Sequence, residues 1–227
     1  MTEASLSLIV PVLNEAEAMP ALLAHLSVYA SAGCEIILVD GGSQDGSDAV
    51  ARTAGFTVIT GPRGRARQMN AGAAASTGRV CLFLHADTQL PPGSIALIKR
   101  ALSSGHHQWG RFDVRIEGRA AMFPVIAWMM NQRSRLTGIA TGDQALFMRR
   151  TAFDAVGGFP DQPLMEDIEM SRRLRRLSSP ACLRACVTTS GRRWETRGVW
   201  RTIILMWRLR LAYWMGASPD DLVERYR

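Results

Sequence analysis

Several classes of protein are excluded by what the sequence has little of. It contains a single lysine, no linker-like run of Ser, Gly or Pro, and no internal repeat. The missing repeats argue against solenoids and propellers, and 227 residues without a linker are typical of one domain. The four cysteines are scattered, and the pair Cys182 and Cys186 lacks a second Cys or His pair at zinc-ligand spacing. We therefore expect reduced thiols and no zinc site.

We expect neither a signal peptide nor a membrane-spanning segment within these residues. Residues 1–13 carry Glu3 in place of a basic start, and the apolar stretch Leu8–Leu13 has only the length of a strand. The uncharged stretch Ala120–Gln132 is too short to cross a bilayer. We expect a cytoplasmic protein.

Basic charge is abundant and comes almost entirely from arginine. The net charge is +7, and eleven arginines fall between Arg172 and Arg210. Such a distribution attracts nucleic acid, anionic lipid or a phosphorylated substrate, although a solvated basic face is the simpler alternative.

The first half of the chain alternates short apolar runs with amphipathic stretches. We predict strands at Ser7–Val12, Glu35–Val39, Thr57–Thr60 and Arg79–Leu84. We predict helices between them at Ala16–Ala32, Ser47–Ala54 and Arg65–Ala75. This alternation is typical of an α/β fold with a parallel sheet covered by helices on both faces.

Beyond residue 105 the alternation weakens. There we predict an edge strand at Gly110–Glu117, a helix at Ala120–Arg135, a strand at Gln144–Met148 and a helix at Glu166–Leu177. We interpret this half as the less regular, substrate-facing part of the same domain.

Polar segments follow three of the predicted strands. They are residues 11–15 (PVLNE), 40–47 (DGGSQDGS) and 85–88 (HADT). Each alone also suits a helix cap or a turn. Because ligands of open α/β sheets bind at the carboxyl ends of the strands, their joint placement favours a binding site.

Five motifs in this order resemble the signature series of glycosyltransferase family 2: Val10–Glu15, Val39–Ser47, Asn70–Gly72, His85–Asp87 and Glu166-Asp167. The segments VDGGS and LHADT and the short length resemble, more narrowly, a small bacterial branch associated with radical-SAM partners and arsenosugar biosynthesis.

The resemblance implies a GT-A type α/β fold in one domain over residues 1–227. It implies a nucleotide-binding half at 1–104, an acceptor-side half at 105–195 and a C-terminal helical extension at 196–227. The implied activity is inverting, non-processive transfer of a sugar from a nucleotide-diphosphate donor, with a UDP-sugar expected, to a small-molecule or lipid-linked acceptor. No nucleic-acid partner is expected.

The resemblance also assigns residues to the donor and acceptor. Asp40 matches a position that accepts hydrogen bonds from the base, and Arg63 and Arg65 would neutralise phosphate. Asp87 matches the last Asp of the metal motif and would hold Mg²⁺ or Mn²⁺. The full set of matched substrate-binding residues is Pro11, Asn14, Glu15, Asp40, Gly42, Arg63, Arg65, Asn70, His85, Ala86, Gly142 and Asp143.

Two positions depart from the family pattern. His85 replaces the first Asp of the metal motif, so one carboxylate ligand is lost. Gly41 replaces the second Asp of the usual VDD segment, which removes one contact to the base or ribose.

The segment containing Glu166 and Asp167 resembles the catalytic Glu-Asp motif. Asp167 is then the base that deprotonates the acceptor hydroxyl, a role that contributes about 10² to 10⁴ in rate. The alternative is that these carboxylates only stabilise a helix N-terminus. Ser190 stands where processive members carry Gln, so we predict a single transfer; Arg193 and Trp194 of that segment also suit a packing pair.

The last long helix, from Trp200 to Trp214, is apolar on two faces. Burying one face leaves the other for a membrane surface or a second copy of the chain. Its arginines prevent it from spanning a bilayer.

Two other functions fit parts of the sequence. A sugar nucleotidyltransferase shares the fold, but its Gly-rich loop should follow the first strand, where this chain has VLNEAE. A basic RNA- or lipid-binding module explains the arginines but leaves the acidic segments after the strands unexplained.

Overall fold

The computed structural model describes residues 5–226, so residues 1–4 and 227 of the predicted domain lie outside the described part. Over that range, one sheet of eight strands has the order β3-β2-β1-β4-β7-β6-β8-β5. The strands are β1 Leu6–Val12, β2 Glu35–Asp40, β3 Thr57–Thr60, β4 Val80–Phe83, β5 Thr88–Gln89, β6 Trp109–Glu117, β7 Phe147–Arg149 and β8 Ala181–Ser190.

The sheet is parallel in its first half and mixed in its second. Strands β1 to β4 are all parallel to their neighbours in that set. Strand β7 runs antiparallel to both β4 and β6, while β6 and β8 are parallel and β5 is antiparallel to β8.

Helices cover both faces of this sheet. They are α1 Met19–Ser31, α2 Ser47–Thr53, α3 Arg65–Ala75, α4 Ser94–Ser103, α5 Phe123–Thr137, α6 Arg150–Ala155, α7 Glu166–Leu174, α8 Arg192–Arg197, α9 Val199–Trp214 and α10 Pro219–Tyr226. The elements predicted in the first half of the sequence are confirmed, with differences of up to three residues at their ends.

Two predictions for the second half are wrong. Strand β6 is not at an edge, since it pairs with β7 on one side and β8 on the other. The strand predicted at Gln144–Met148 starts only at Phe147, because Gly142–Gln144 forms a 3-10 turn closed by a capping box between Thr141 and Gln144. Strands β5 and β8 and helices α4, α6, α8 and α10 were not predicted.

The apolar core is divided by the sheet. Leu8 and Val10 of β1 pack with α1, α4 and α5 on one face, whereas Ile9 packs with α3, α6 and α7 on the other. This alternation is the period of two of a buried strand, and burial on both faces explains why β1 is almost continuously apolar.

Helix α3 lies unusually close to the sheet at Gly72. A Cβ atom there would stand 2.4 Å from Cγ2 of Ile9 and 2.8 Å from Cγ2 of Val39. Only glycine permits this approach, which gives the glycine of the Asn-Ala-Gly motif a packing role.

The C-terminal helices attach through a small separate cluster. Leu209 of α9 and Leu222 of α10 are buried with Leu164 and Met165, which precede α7. The opposite face of α9 is exposed at Trp200, Ile204, Trp207, Leu211 and Trp214. Between residues 5 and 226, no helix combines the length and apolarity needed to cross a membrane.

Candidate active site

A cleft of about 1030 Å³ opens between the carboxyl ends of β1 and β4 and the helices α9 and α10. Most residues that the sequence singled out line this one cleft. They are Pro11, Glu15, Arg63, Arg65, His85, Ala86, Asp87, Gly142, Asp143, Glu166 and Asp167. Segments from both halves of the chain are therefore brought together, as expected for one binding site.

Glu15 and Asp87 lie on the side of the cleft formed by the parallel half of the sheet. Burial raises the pKa of Glu15, and the neighbouring charge of Asp87 raises it further, while Arg192 opposes the shift. Arg192 reaches Glu15 with Nη2 3.5 Å from Oε2. The pairing of Thr88 with Thr189 in β5 and β8 brings residues 190–192 beside Asp87.

His85 and Asp143 form a second pair, with 3.3 Å between Nδ1 and Oδ1. The Nε2 atom of His85 is buried and has no hydrogen-bond partner among the described residues, and a Cβ atom on Gly142 would stand 2.3 Å from it. Gly142 thus leaves room for the imidazole. Burial alone would raise the pKa of Asp143, but the hydrogen bond and charge of His85, with Arg65 and Arg193, hold it below its usual value.

Glu166 and Asp167 begin α7 after a residue with a left-handed backbone. Met165 has φ 65°, a strained conformation of the kind that clusters at functional sites. This turn buries Glu166, whose carboxylate lies 3.4 Å from Nη1 of Arg65. Burial and the charge of Asp167 raise the pKa of Glu166, against the effect of Arg65.

The Asp167 carboxylate is held by two backbone N–H groups. Gly142 donates to Oδ2 and Ile168 donates to Oδ1, each at 2.8 Å. Asp167 is thereby fixed against the 3-10 turn that also carries Asp143. Its orientation is set before any ligand arrives.

Three predicted residues instead make hydrogen bonds within and between the loops that follow β1 and β2. Asp40 accepts hydrogen bonds from the N–H groups of Gly42 and Ser43. Asn14 has φ 54° and accepts from the N–H of Gln44 at 2.9 Å. Asn14, Asp40 and Gly42 lie outside the lining of the cleft, and their contact with a substrate stays a prediction.

Asn70 also lies outside the lining. It exchanges two hydrogen bonds with the backbone of Phe159, at 2.8 and 2.9 Å, and so attaches α3 to the segment before α7. A contact between Asn70 and the donor likewise stays a prediction.

Sequence reasoning missed Gln68, a buried residue that lines the cleft. Its Nε2 donates to the carbonyl groups of Val12 and Val39, both at 2.8 Å. A Cβ atom on Gly41 would stand 2.9 Å from the Gln68 amide, so this anchored side chain occupies the space of an Asp at position 41. The only sequence feature that pointed to Gln68 was indirect, namely that Gly41 stands where the family usually has the second Asp of VDD.

Three arginines, Arg193, Arg197 and Arg210, form the far wall of the cleft and were not predicted to line it. Arg193 and Arg197 of α8 both place their guanidinium groups over the ring of Tyr226, and Arg193 hydrogen-bonds its hydroxyl. Arg193 therefore packs on Tyr226, whereas Trp194 packs against the main core. Arg210 of α9 completes this wall.

Comparison with known proteins identifies the family. The family model described as glycosyl transferase family 2 matches residues 7–157. An undecaprenyl-phosphate 4-deoxy-4-formamido-L-arabinose transferase of Aeromonas hydrophila is 28% identical over 156 residues, which cover 63% of this chain and 47% of that protein. The chain thus spans about half the length of this curated relative.

Two solved structures show the fold. A mannosyltransferase of Pyrobaculum calidifontis, in complex with GDP-Man and Mn²⁺, superposes with a TM-score of 0.65 at 19% identity over 93% of this chain and 62% of that one. Glucosyl-3-phosphoglycerate synthase of Mycobacterium tuberculosis, in complex with Mn²⁺ and UDP, gives 0.61 at 17% identity over 82% and 71%. The predicted GT-A type fold is confirmed, and the chain belongs to glycosyltransferase family 2.

Proposed function

We propose that this protein transfers one sugar, with inversion, from a nucleotide-diphosphate donor to an acceptor hydroxyl. The main supporting observation is that one cleft is lined both by Glu15 and Asp87, which follow strands of the parallel half of the sheet, and by Asp167, at the start of α7. A transferase needs this division, because the donor phosphates and the attacking hydroxyl approach the anomeric carbon from opposite sides.

The donor side fits Mg²⁺ or Mn²⁺, held by Asp87. Among residues 5–226 no three His, Cys, Asp or Glu side chains are grouped to hold a metal alone. Magnesium usually binds proteins through one or two carboxylates together with substrate phosphates, so Asp87 with Glu15 nearby is a sufficient set. When bound, the cation would offset the diphosphate and the charge of the departing nucleotide. Both solved relatives described above are complexes with Mn²⁺.

We do not include His85 among the proposed metal ligands. Its Nδ1 atom contacts Asp143, and its ring stands against Gly142. We propose that His85 shapes the sugar pocket with Ala86, Gly142 and Asp143, and that Arg63 and Arg65 lie near the diphosphate. A uridine nucleotide is the proposed donor, as in the synthase complex with UDP.

Asp167 is the proposed base. It takes the proton of the acceptor hydroxyl while that oxygen bonds to the anomeric carbon and the bond from this carbon to the diphosphate breaks. The two N–H groups that hold its carboxylate keep the base oriented. Glu166 has a positioning role, because its carboxylate is buried against Arg65.

A screen of donor hydrolysis tests this function. UDP-, GDP- and dTDP-sugars are incubated with the protein, with and without Mn²⁺, and release of the nucleoside diphosphate is measured. One nucleotide class should be hydrolysed slowly and only with the cation. If no nucleotide sugar is bound or hydrolysed, the proposal is wrong.

We also propose that the exposed face of α9 contacts the inner face of a membrane. Trp200, Trp207 and Trp214 lie on this face, and the exposed Arg201 and Arg208 on the same helix complement anionic headgroups. The relative from Aeromonas hydrophila, by its name, acts on an undecaprenyl phosphate, which is a membrane lipid.

Flotation with phosphatidylglycerol vesicles at low salt tests this contact. The protein should float, Trp207→Glu should abolish flotation, and Val28→Glu, at an exposed position of α1, should not. Failure to float, or a dimer in solution that the Trp207 substitution dissociates, would reject the membrane contact.

The narrower placement in the branch associated with arsenosugar biosynthesis is a further proposal. A radical-SAM gene beside the coding sequence would support it, and its absence would count against it.

A further inference from the structure

Two arginines on different helices, Arg210 in the lining of the cleft and Arg133 behind it, lie near Asp167 and Asp143 and form no ion pair among the described residues. Arg210 of α9 lines the cleft, and within residues 5–226 it has no hydrogen bond or ion pair. Arg133 of α5 buries its Nε and Nη2 atoms, and neither has a hydrogen-bond partner in the part of the chain that the structure describes. Met130, one turn before Arg133 on the same face of α5, lines the cleft as well.

The two guanidinium groups are close enough to repel each other. Burial lowers the pKa of Arg133 to about 10, and the charge of Arg210 is the next cause. Burial likewise lowers the pKa of Arg210, with Asp167 and Asp143 acting in the opposite direction. Both groups therefore lie within electrostatic range of the proposed base.

The nearby carboxylates are already engaged elsewhere. Asp167 accepts from the N–H groups of Gly142 and Ile168, and Asp143 contacts His85. Neither comes within ion-pair distance of Arg133 or Arg210 among the described residues. A buried guanidinium with unsatisfied N–H groups is costly, and two of the same charge together cost more.

We infer that the acceptor carries a phosphate group, which Arg133 and Arg210 bind together beside Asp167. Guanidinium groups donate paired hydrogen bonds that match phosphate oxygens. Two positive charges also balance a phosphate monoester, which carries about −1.5 to −2 at neutral pH. The inference rests on the proposed function, because Asp167 would act on a hydroxyl of the same acceptor.

This phosphate site is distinct from the site of the donor diphosphate. The donor side of the cleft contains Asp87, Glu15 and Arg192, whereas the carboxylates acting most strongly on Arg210 are Asp167 and Asp143. A diphosphate bound through a divalent cation on Asp87 and a phosphate bound by Arg210 would therefore occupy the cleft together, with the sugar between them.

Calorimetric titration with inorganic phosphate tests the site. The protein is first saturated with Mg²⁺ and the nucleoside diphosphate that binds best, so that the donor site is filled. Arg133→Gln and Arg210→Gln should each weaken phosphate binding about tenfold or more, as expected for a lost charged hydrogen bond, and leave nucleotide affinity unchanged. Arg208→Gln, at an exposed position of α9, is the matched control and should change neither affinity.

Three results would overturn the inference. In the first, the nucleotide-bound protein does not bind phosphate. In the second, it binds phosphate, but neither substitution weakens the binding. In the third, the substitutions weaken nucleotide binding as much as they weaken phosphate binding. The last would assign both arginines to the donor. If no nucleotide binds, the proposed function fails, while phosphate titration of the free protein and its variants still decides whether this site exists.

Thermal unfolding separates binding from folding. Phosphate should raise the midpoint of the unmodified protein but not that of Arg133→Met. Without phosphate, Arg133→Met should unfold at the same or a higher temperature, because the substitution removes a buried unpartnered charge. A lower midpoint would give Arg133 a structural role and overturn the inference.

A competition experiment identifies the source of the phosphate. If soluble glycerol 3-phosphate displaces inorganic phosphate and glycerol does not, the result indicates a small acceptor. Displacement only by vesicles containing phosphatidic acid, and not by vesicles of phosphatidylcholine alone, indicates a lipid acceptor. If neither glycerol 3-phosphate nor vesicles containing phosphatidic acid displace inorganic phosphate, the assignment of this site to an acceptor is wrong.

Discussion

The two sides of the cleft are built in different ways. The proposed donor side consists mainly of the loops that directly follow β1 and β4, so most of its residues are close to buried strands in the sequence. The acceptor side is assembled from the 3-10 turn at Gly142–Gln144, the start of α7 and the helices α5 and α9. Short contiguous motifs identified the first side, whereas the second depends on contacts between distant segments.

The difference also appears in what holds each side in place. On the donor side, Asp40 accepts hydrogen bonds from the N–H groups of Gly42 and Ser43, two and three residues further along the same loop, and only Asn14 accepts from a distant residue, Gln44, 30 residues away. On the acceptor side, Asp167 binds a glycine 25 residues away, and Arg65 reaches Glu166 across 101 residues. Local hydrogen bonds can be anticipated from turn chemistry, but long-range ones cannot.

The largest effect should come from the acceptor side. Asp167→Asn removes the base but keeps a side chain of the same shape, so we expect the transfer rate to fall by about 10² to 10⁴ while nucleotide affinity is kept. Steady-state transfer and calorimetric nucleotide binding measure the two quantities. Glu169→Gln is the matched control on α7, since Glu169 pairs with Arg172 and Arg173. Equal transfer rates in both variants would remove Asp167 from the mechanism.

A donor-side change should give the complementary result. Asp87→Asn should reduce nucleotide affinity by about 10- to 100-fold when the divalent cation is present, and should have little effect in its absence. Titrations with and without Mn²⁺ measure this. Asp48→Asn, which removes an exposed pair with Arg52, serves as control. A loss that is the same with and without Mn²⁺ would mean that Asp87 does not act through a cation.

Packing under the donor side can be tested without any ligand. Gly72→Ala inserts a methyl group 2.4 Å from Ile9 Cγ2, and such overpacking typically costs about 1–3 kcal/mol of unfolding free energy. Denaturant unfolding measures the cost. Ala74→Ser, at an exposed position of α3, should change stability by less than about 0.5 kcal/mol. Similar values for both variants would contradict the close approach of α3 to the sheet.

The smallest effect concerns pH. The folded protein raises the pKa of Glu166, so the protonated form is favoured on folding, and this contribution is complete below the unfolded pKa. It is lost as pH rises through the folded pKa. The stability of the unmodified protein should therefore fall, relative to Glu166→Gln, as pH increases from below 4.5 through the raised pKa. Thermal unfolding of both proteins across this range measures the difference, and a constant difference would show that Arg65 fully offsets burial.

The second half of the fold was harder to predict for identifiable reasons. Strand β8 is mostly half-exposed and contains a register shift opposite Phe112 and Asp113, so its sequence lacks a clear period of two. Without β8, strand β6 has no second neighbour and was assigned to an edge. Helix α4 was missed although Ile98 and Leu102 give it a buried face.

Among the site residues, position in the chain separates those that were predicted from those that were missed. Asp40, Asp87 and Asp167 belong to motifs and were expected to lie around one cleft; Asp87 and Asp167 line it, whereas Asp40 lies outside its lining. Gln68, Arg133 and Arg210 belong to no motif. Arginine and glutamine are common on helix surfaces, and only the packing of α3, α5 and α9 turns these three toward buried surroundings.

By itself the sequence determined the parallel half of the sheet and the polar loops that follow its strands. The physical reason is local, because apolar period, turn residues and helix caps act over a few neighbouring positions. Only the tertiary structure decided where β6 pairs, which residues complete the acceptor side and which arginines lack a counter-ion. These outcomes depend on burial and electrostatics between residues that lie far apart in the chain, and no local pattern encodes them.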